Sequence, residues 1–266
     1  MKKIPLILII ALTMSCAVIN RLNLLTPEQE VELGRQASRE VERSVRLYRD
    51  PLVRAYVDSM GQALVRVSAR SQFRYYFKVV DAPEVNAFAL PGGFVYVNLG
   101  LIKAAETESE LAGVIGHEIG HVEMHHGAKK ISQQYGVAVF VDIISGDGDP
   151  SMRRKIIAQL AGFGGGLGVL SYGREAERES DKFAVHCMVN ARVDPEGIAR
   201  FFETLLKLKK RDPKGVEVLF STHPPTQSRI DFVRSEIAKL PNTAGLKKTS
   251  ARFEQIRARI GGGKGR

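Results

Sequence analysis

Residues 110–126, ELAGVIGHEIGHVEMHH, limit what this chain can fold into more than any other stretch. His117 and His121 are four residues apart, with Glu118 directly after the first. On an α-helix that spacing stacks the two side chains one turn apart, so two imidazole nitrogens can reach one metal ion while a carboxylate lies beside it. Leu111, Val114, Ile115, Ile119 and Val122 recur at helical spacing, which predicts a half-buried helix rather than a loop. A chance pattern on a helix face would carry the same letters, so a third ligand elsewhere in the chain is the deciding requirement.

The chain opens with Lys2 and Lys3, an apolar run from Ile4 to Leu12, and small or neutral residues up to Cys16. This is the pattern of an export signal over residues 1–15. The run is shorter than the roughly 20 apolar residues a membrane-spanning helix needs. Ser15 and Ala17 around the cysteine resemble a bacterial lipoprotein signal, with Cys16 as the lipidated residue, although Thr13 stands where Leu is usual and Leu12 is one place early. A plain cleaved signal is the alternative. The resemblance implies the periplasmic side of the bacterial cell envelope and an outer-membrane lipid anchor, with residues 16–25 as a tether. Cys187, the other of two cysteines, lies in an apolar helical stretch and is expected in the core, so no disulfide framework is available.

A formal charge of +10 would suit a nucleic-acid binder if it were spread over a face. It is not: residues 247–266 hold seven Lys or Arg against the single acid Glu254. The expectation is no nucleic-acid partner and a basic, partly disordered tail over residues 241–266. What remains, residues 26–240, is long enough for one domain with a substantial core. Partner proteins and oligomeric state leave no mark in the sequence.

Thr26-Pro27-Glu28-Gln29 opens a helix with a capping box, expected to run to about Arg49, and Asp50-Pro51 starts a second amphipathic helix through Val67. Phe73–Val80, Asn86–Leu90 and Phe94–Val97 read as strands, the last two around the turn Pro91-Gly92-Gly93. Tyr135–Tyr172 is apolar and glycine-rich, an expected helical hairpin; its run Ile156–Leu170 reads as a buried helix rather than a membrane span. Asp194-Pro195 starts another amphipathic helix.

NAFALPGGFVYVNLGLI followed by ELAGVIGHEIGHV resembles the M48 family of zinc metallopeptidases, and its envelope lipoprotein branch fits best. The resemblance implies an α+β, mainly helical, zincin-like (gluzincin) domain with a small β-sheet whose edge strand flanks the metal helix. The second strand of the pair, Phe94-Val95-Tyr96-Val97-Asn98, is then the edge to which a substrate chain adds, and the third ligand comes from a later helix.

Arg174–Asp181 supplies that helix, with Glu175, Glu177 and Glu179 as competing acids. Glu177 has Asp181 four residues on, one to hold the metal and one to accept from a ligand imidazole. Glu175 and Glu179 share that spacing, so geometry alone leaves both pairs open. The family pattern Arg-x-x-Glu-x-x-Ala-Asp aligns Arg174, Glu177 and Asp181, with Ser180 in place of the usual Ala. Ser221–Ile230 resembles the family's closing His-Pro segment, in which His223 could bind the oxyanion or reach the fourth metal position and hold the enzyme closed. His126 matches a recurring family position; a structural role at the helix end is expected for it.

The resemblance thus implies one Zn2+ per chain on His117, His121 and Glu177, with the fourth position left for water and Glu118 as general base. It implies hydrolysis of peptide bonds in unfolded or misfolded envelope proteins. The alternative is an envelope lipoprotein whose latent or structural zinc site accompanies chaperone-like binding of unfolded clients.

Overall fold

A computed structural model describes residues 23–68, 72–136, 150–162, 171–241 and 243–262. The export signal, Cys16 and most of the tether lie outside these residues. So does the second half of the expected Ile156–Leu170 helix.

Helix α1 spans Pro27–Ser44, and both bonds of the Thr26/Gln29 capping box form. It ends at Val45, which turns extended, five residues before Asp50 caps α2, Pro51–Val67. Strands β1 (Tyr76–Val80), β2 (Ala87–Leu90) and β3 (Phe94–Asn98) form one sheet in the order β1-β3-β2. β1 lies parallel to β3, with Tyr76 opposite Phe94, and β2 runs antiparallel to it, with Ala89 opposite Val95. Gly92 and Gly93 take φ of 75° and 100° in the β2–β3 turn, a region open to glycine without strain.

This order corrects the edge expected from the sequence. Phe94, Val95, Tyr96, Val97 and Asn98 form the central strand, buried along its whole length and paired on both sides. A strand with two neighbours has no free backbone to offer. The edge beside the metal helix is β2.

Alternate residues of the sheet feed two cores, as the period of a strand dictates. Phe77, Val79, Val95 and Val97 enter the larger one, which continues through α2 and the later helices. Phe88, Leu90, Phe94 and Tyr96 enter the smaller one against Leu33, Ala37 and Val41 of α1.

The short α3 (Leu99–Ala104) leads to α4, Glu108–Glu123, capped by Thr107. α4 carries the His117/Glu118/His121 motif and is buried on every side from Ser109 to Glu123, more than the half-burial its periodicity predicts. Its polar face is covered by α7 (Arg174–Asn190), and further faces by α8 (Glu196–Arg211) and β2. Between them come α5 (His126–Tyr135) and α6 (Pro150–Ala161), which packs on α1. The chain continues through a 3-10 turn (Lys214–Val216), α9 (Glu217–Thr222) and α10 (Gln227–Ala238).

The basic end of the chain also departs from expectation. Ala251–Gly262 forms helix α11, which buries Phe253, Ile256 and Ile260 in the larger core. Lys247 and Lys248 lie alongside: the Ser109 amide donates to the Lys248 carbonyl and Lys247 pairs with Glu108 at 3.0 Å. Apolar residues at every third or fourth position hide among the charges, and they anchor a segment that charge alone marks as a solvated tail. No described helix is long and apolar enough to cross a membrane.

Candidate metal centre

Two helices build the site, and glycines let them approach. A Cβ on Gly120 of α4 would lie 2.9 Å from the Ser180 Cα of α7, and one on Gly116 would lie 3.4 Å from the Ala184 Cβ. At this closeness Glu177, at the start of α7, reaches both motif imidazoles. His117 Nε2 and His121 Nε2 are 3.0 Å apart; Glu177 Oε2 is 3.5 Å from the first and Oε1 is 3.4 Å from the second. All three side chains are buried. Glu175 and Glu179 are exposed, so of the three acids Glu177 alone is brought to the imidazoles.

His223 arrives from the end of α9, its Nδ1 2.9 Å from Glu177 Oε1 and 3.4 Å from His117 Nε2. His117, His121, Glu177 and His223 each offer one donor atom within a span of 4.8 Å. For bond lengths of about 2.0–2.1 Å, the edge of a tetrahedral zinc site is about 3.3 Å. The observed separations of 2.9–3.5 Å match that edge.

Outside the donors stands a second layer of charge. Asp181 Oδ1 lies 2.9 Å from His117 Nδ1, which directs Nε2 inward as the free donor. Arg229 of α10 donates to both Asp181 oxygens, at 2.8 and 2.6 Å, lies 2.7 Å from Glu177 Oε2 and stacks over Phe202 at 4.4 Å. Burial works against Arg229's charge, but the two carboxylates hold its pKa above the usual arginine value. Burial likewise opposes ionisation of Asp181, and Arg229 overrides it, leaving its pKa low. Glu177 is also held low: His223 and the hydrogen bonds of three imidazoles outweigh its desolvation. Burial would lower His117, but the Asp181 and Glu177 carboxylates raise it to about 9, while His121, with less compensation, stays well below 6.5.

Glu118, Glu177 and Asp181 are three buried carboxylates, and Arg229 is the only Lys or Arg that the described ion pairs bring to them. One divalent cation among the four donors completes the neutralisation, so these residues fit a metal ion on charge as well as distance.

Glu118 faces this cluster from the side of β2. Its carboxylate is buried, which raises its pKa, and Oε1 has no hydrogen-bond partner among the described residues. The Ala89 amide of β2 donates to it, so the free edge of the sheet runs along the site. An apolar pocket walled by Val114, Phe201, Phe202, Leu205 and Leu219 opens on His117 and Glu118.

Sequence reasoning assigned no role to Arg229 or Tyr172. Arg229 could have been sought from the need for a cation beside so many carboxylates. Tyr172, which stacks on His121 with ring centroids 4.1 Å apart, leaves no such signal. His125 takes a left-handed conformation ahead of α5 and pairs with Glu30 at 2.7 Å, away from the donor cluster.

A family model described as peptidase family M48 matches residues 51–237, most of the chain and every residue of this cluster. The chain belongs to peptidase family M48, the metalloendopeptidases. The β-barrel assembly-enhancing protease of Escherichia coli is 29% identical over 215 residues, 78% of this chain and 43% of that protein. Metalloprotease YcaL of Escherichia coli is 30% identical over 162 residues, covering 61% of this chain and 62% of the relative. The mitochondrial metalloendopeptidase OMA1 of Schizosaccharomyces pombe is 30% identical over 176 residues, 66% and 50% of the two chains. The chain thus spans less than half the length of the β-barrel assembly-enhancing protease it matches. A short match to sigma-70 factor region 1.2, residues 18–43, covers the segment up to the end of α1 and no residue of the site.

Proposed function

We propose that this chain is a zinc endopeptidase, anchored on the periplasmic side of the bacterial envelope through Cys16, that hydrolyses peptide bonds of unfolded or misfolded envelope proteins. The observation that carries the chemistry is Glu118, a buried carboxylate whose Oε1 has no hydrogen-bond partner among the described residues, beside a four-donor cluster. His117, His121 and Glu177 would hold a zinc ion, which when bound would supply Lewis acidity to acidify water and polarise a peptide carbonyl. Glu118 Oε1 accepts the water's proton, and its raised proton affinity suits it to pass that proton to the leaving amine. Asp181 keeps the His117 proton on Nδ1 throughout. An extended substrate pairs with the outer edge of β2 at Ala87–Leu90, where backbone bonds give affinity with little sequence preference, which favours unfolded chains. The apolar pocket at Val114 and Phe202 accepts one side chain next to the scissile bond.

The envelope location rests on the export pattern of residues 1–16. The names of the two Escherichia coli relatives, a β-barrel assembly-enhancing protease and a metalloprotease, are in keeping with protein substrates.

The test uses protein from Ala17 onward with casein as an unfolded substrate. Wild type is expected to cleave it, and Glu118→Gln to lose roughly 100-fold or more of that rate while keeping one zinc per chain. Equal cleavage by the mutant would end the proposal.

A second reading, a latent site, is favoured by His223, whose Nδ1 stands where the water would enter. Four protein donors make a closed set of the structural kind. On this reading His223→Ala raises casein cleavage several-fold without loss of zinc; a fall in activity returns His223 to the role of oxyanion donor.

A further inference from the structure

His126 and Glu179 stand outside the donor set, yet their geometry bears on one member of it. His126 Nδ1 lies 2.9 Å from His121 Nδ1, and His126 Nε2 lies 2.9 Å from Glu179 Oε2. Ser180 Oγ, 3.4 Å from His126 Nδ1, approaches the same nitrogen. His126 is buried.

A neutral imidazole has one N–H and one acceptor nitrogen, and two facing nitrogens bond only when one carries the proton and the other does not. Glu179 is an acceptor only, so it fixes the His126 proton on Nε2. His126 Nδ1 is then an acceptor, and the Ser180 hydroxyl can donate to it as well. The proton between the two rings must therefore sit on His121 Nδ1, which leaves the His121 Nε2 lone pair free, pointed at His117 Nε2 and Glu177. Reversal of the relay would put the His121 proton on Nε2 and remove it as a ligand.

We propose that Glu179, acting through His126, is a positioning pair that sets the tautomer of His121 and so tunes the metal affinity of the centre. The two motif histidines are thus prepared differently: His117 by the Asp181 carboxylate directly, His121 by a carboxylate one ring removed. Ser180, at the place where the family pattern has Ala, brings its hydroxyl within 3.4 Å of the same His126 nitrogen. The inference rests on the metal centre proposed above, and its test separates the two.

Zinc affinity is measured by competition with a chromogenic chelator on protein from Ala17 onward, with Co2+ absorption as a second readout. Partner groups of this kind are worth about 10- to 100-fold in affinity, and the half-exposed Glu179 side chain puts Glu179→Ala near the lower figure, about 10-fold. Glu179→Gln, whose amide oxygen still accepts from Nε2–H, is expected within about threefold of wild type, with an unchanged Co2+ spectrum. Glu179→Lys, which can only donate, is expected to lose at least as much as the alanine variant. Because the Glu179 side chain is half exposed, these variants keep the fold, as unchanged melting of the metal-free proteins would show. Equal losses for Ala and Gln, or none for any variant, overturn the relay. Failure of wild type itself to bind zinc overturns the metal centre instead.

Discussion

Gly120→Ala should cost the metal site more than it costs the fold. The new Cβ would lie 2.9 Å from Ser180 Cα and 3.1 Å from Ser180 O, both backbone atoms that cannot swing aside. To reach an ordinary contact of 3.4 Å, α7 must retreat from α4 by 0.5 Å at that point, the difference between 3.4 and 2.9 Å. Glu177 lies one turn earlier on the same helix and moves with it, while His117 and His121 stay on α4. Ligand distances tolerate only about 0.2 Å, so the expected loss of zinc affinity is on the order of 10- to 100-fold. For the fold, overpacking costs about 1–3 kcal/mol, and the helix propensity of Ala over Gly returns about 1 kcal/mol. The net is a loss of about 0–2 kcal/mol. Gly116→Ala is the control: its Cβ meets Ala184 at 3.4 Å, so propensity acts nearly alone and zinc binding should stay at the wild-type level. Chelator competition reads the affinity, and urea unfolding of the metal-free proteins reads the stability. A Gly120→Ala protein that binds zinc as wild type does, or a Gly116→Ala protein that loses it equally, would refute the claim that helix spacing governs this site.

Arg229→Ala strips the cation from two buried carboxylates, Asp181 and Glu177, and should destabilise the metal-free protein by about 3–5 kcal/mol in urea unfolding; a loss below 1 kcal/mol would mean the carboxylates protonate or hydrate instead. Arg229→Lys should recover little of it, because one ammonium cannot bridge oxygens on two side chains as a planar guanidinium does. Zinc binding should release a proton. Metal-free His117, raised to about 9 against 6.5, is protonated at neutral pH, so zinc affinity should climb by about tenfold per unit from pH 7 towards 9 and then level, as read by titration at several pH values. The same shift stabilises the metal-free fold below pH 6.5, and that contribution is lost as pH rises through about 9, so the metal-free melting temperature should fall across this window.

What the sequence disclosed and what it withheld divide along the range of the interactions. Capping at Thr26 and Asp50, the period of α4 and the turn at Gly92-Gly93 depend on residues within one or two turns, and each left its own letters. His117, Glu118 and His121 were legible for the same reason. Choosing Glu177 over Glu175 and Glu179 was not a local matter, because the acids share one spacing, and only burial against α4 separates them. The place of β3 depended on pairing order: its continuous apolar run is what a strand covered on both faces and both edges requires, and equally what a buried edge would show. The C-terminal segment failed differently. Its charge described the exposed face of α11, while the three residues that dock it, Phe253, Ile256 and Ile260, were too few to outweigh the basic run.

The relay through His126 illustrates why a metal centre cannot be read from its ligands alone. A histidine motif specifies where two rings stand, but a ring binds metal only if its proton is on the far nitrogen, and that is decided by whatever the far nitrogen touches. For His117 the deciding group is Asp181, for His121 it is a second ring with Glu179 behind it, and Arg229 keeps Asp181 and Glu177 ionised while it supplies the balancing charge. Four of these five residues, His126 excepted, lie 60 or more residues beyond the motif's first histidine in the chain, and only helix packing brings them near. Glycine at 120 is therefore as much a condition of metal binding as the histidines, because it sets how near α7 can come with its carboxylates.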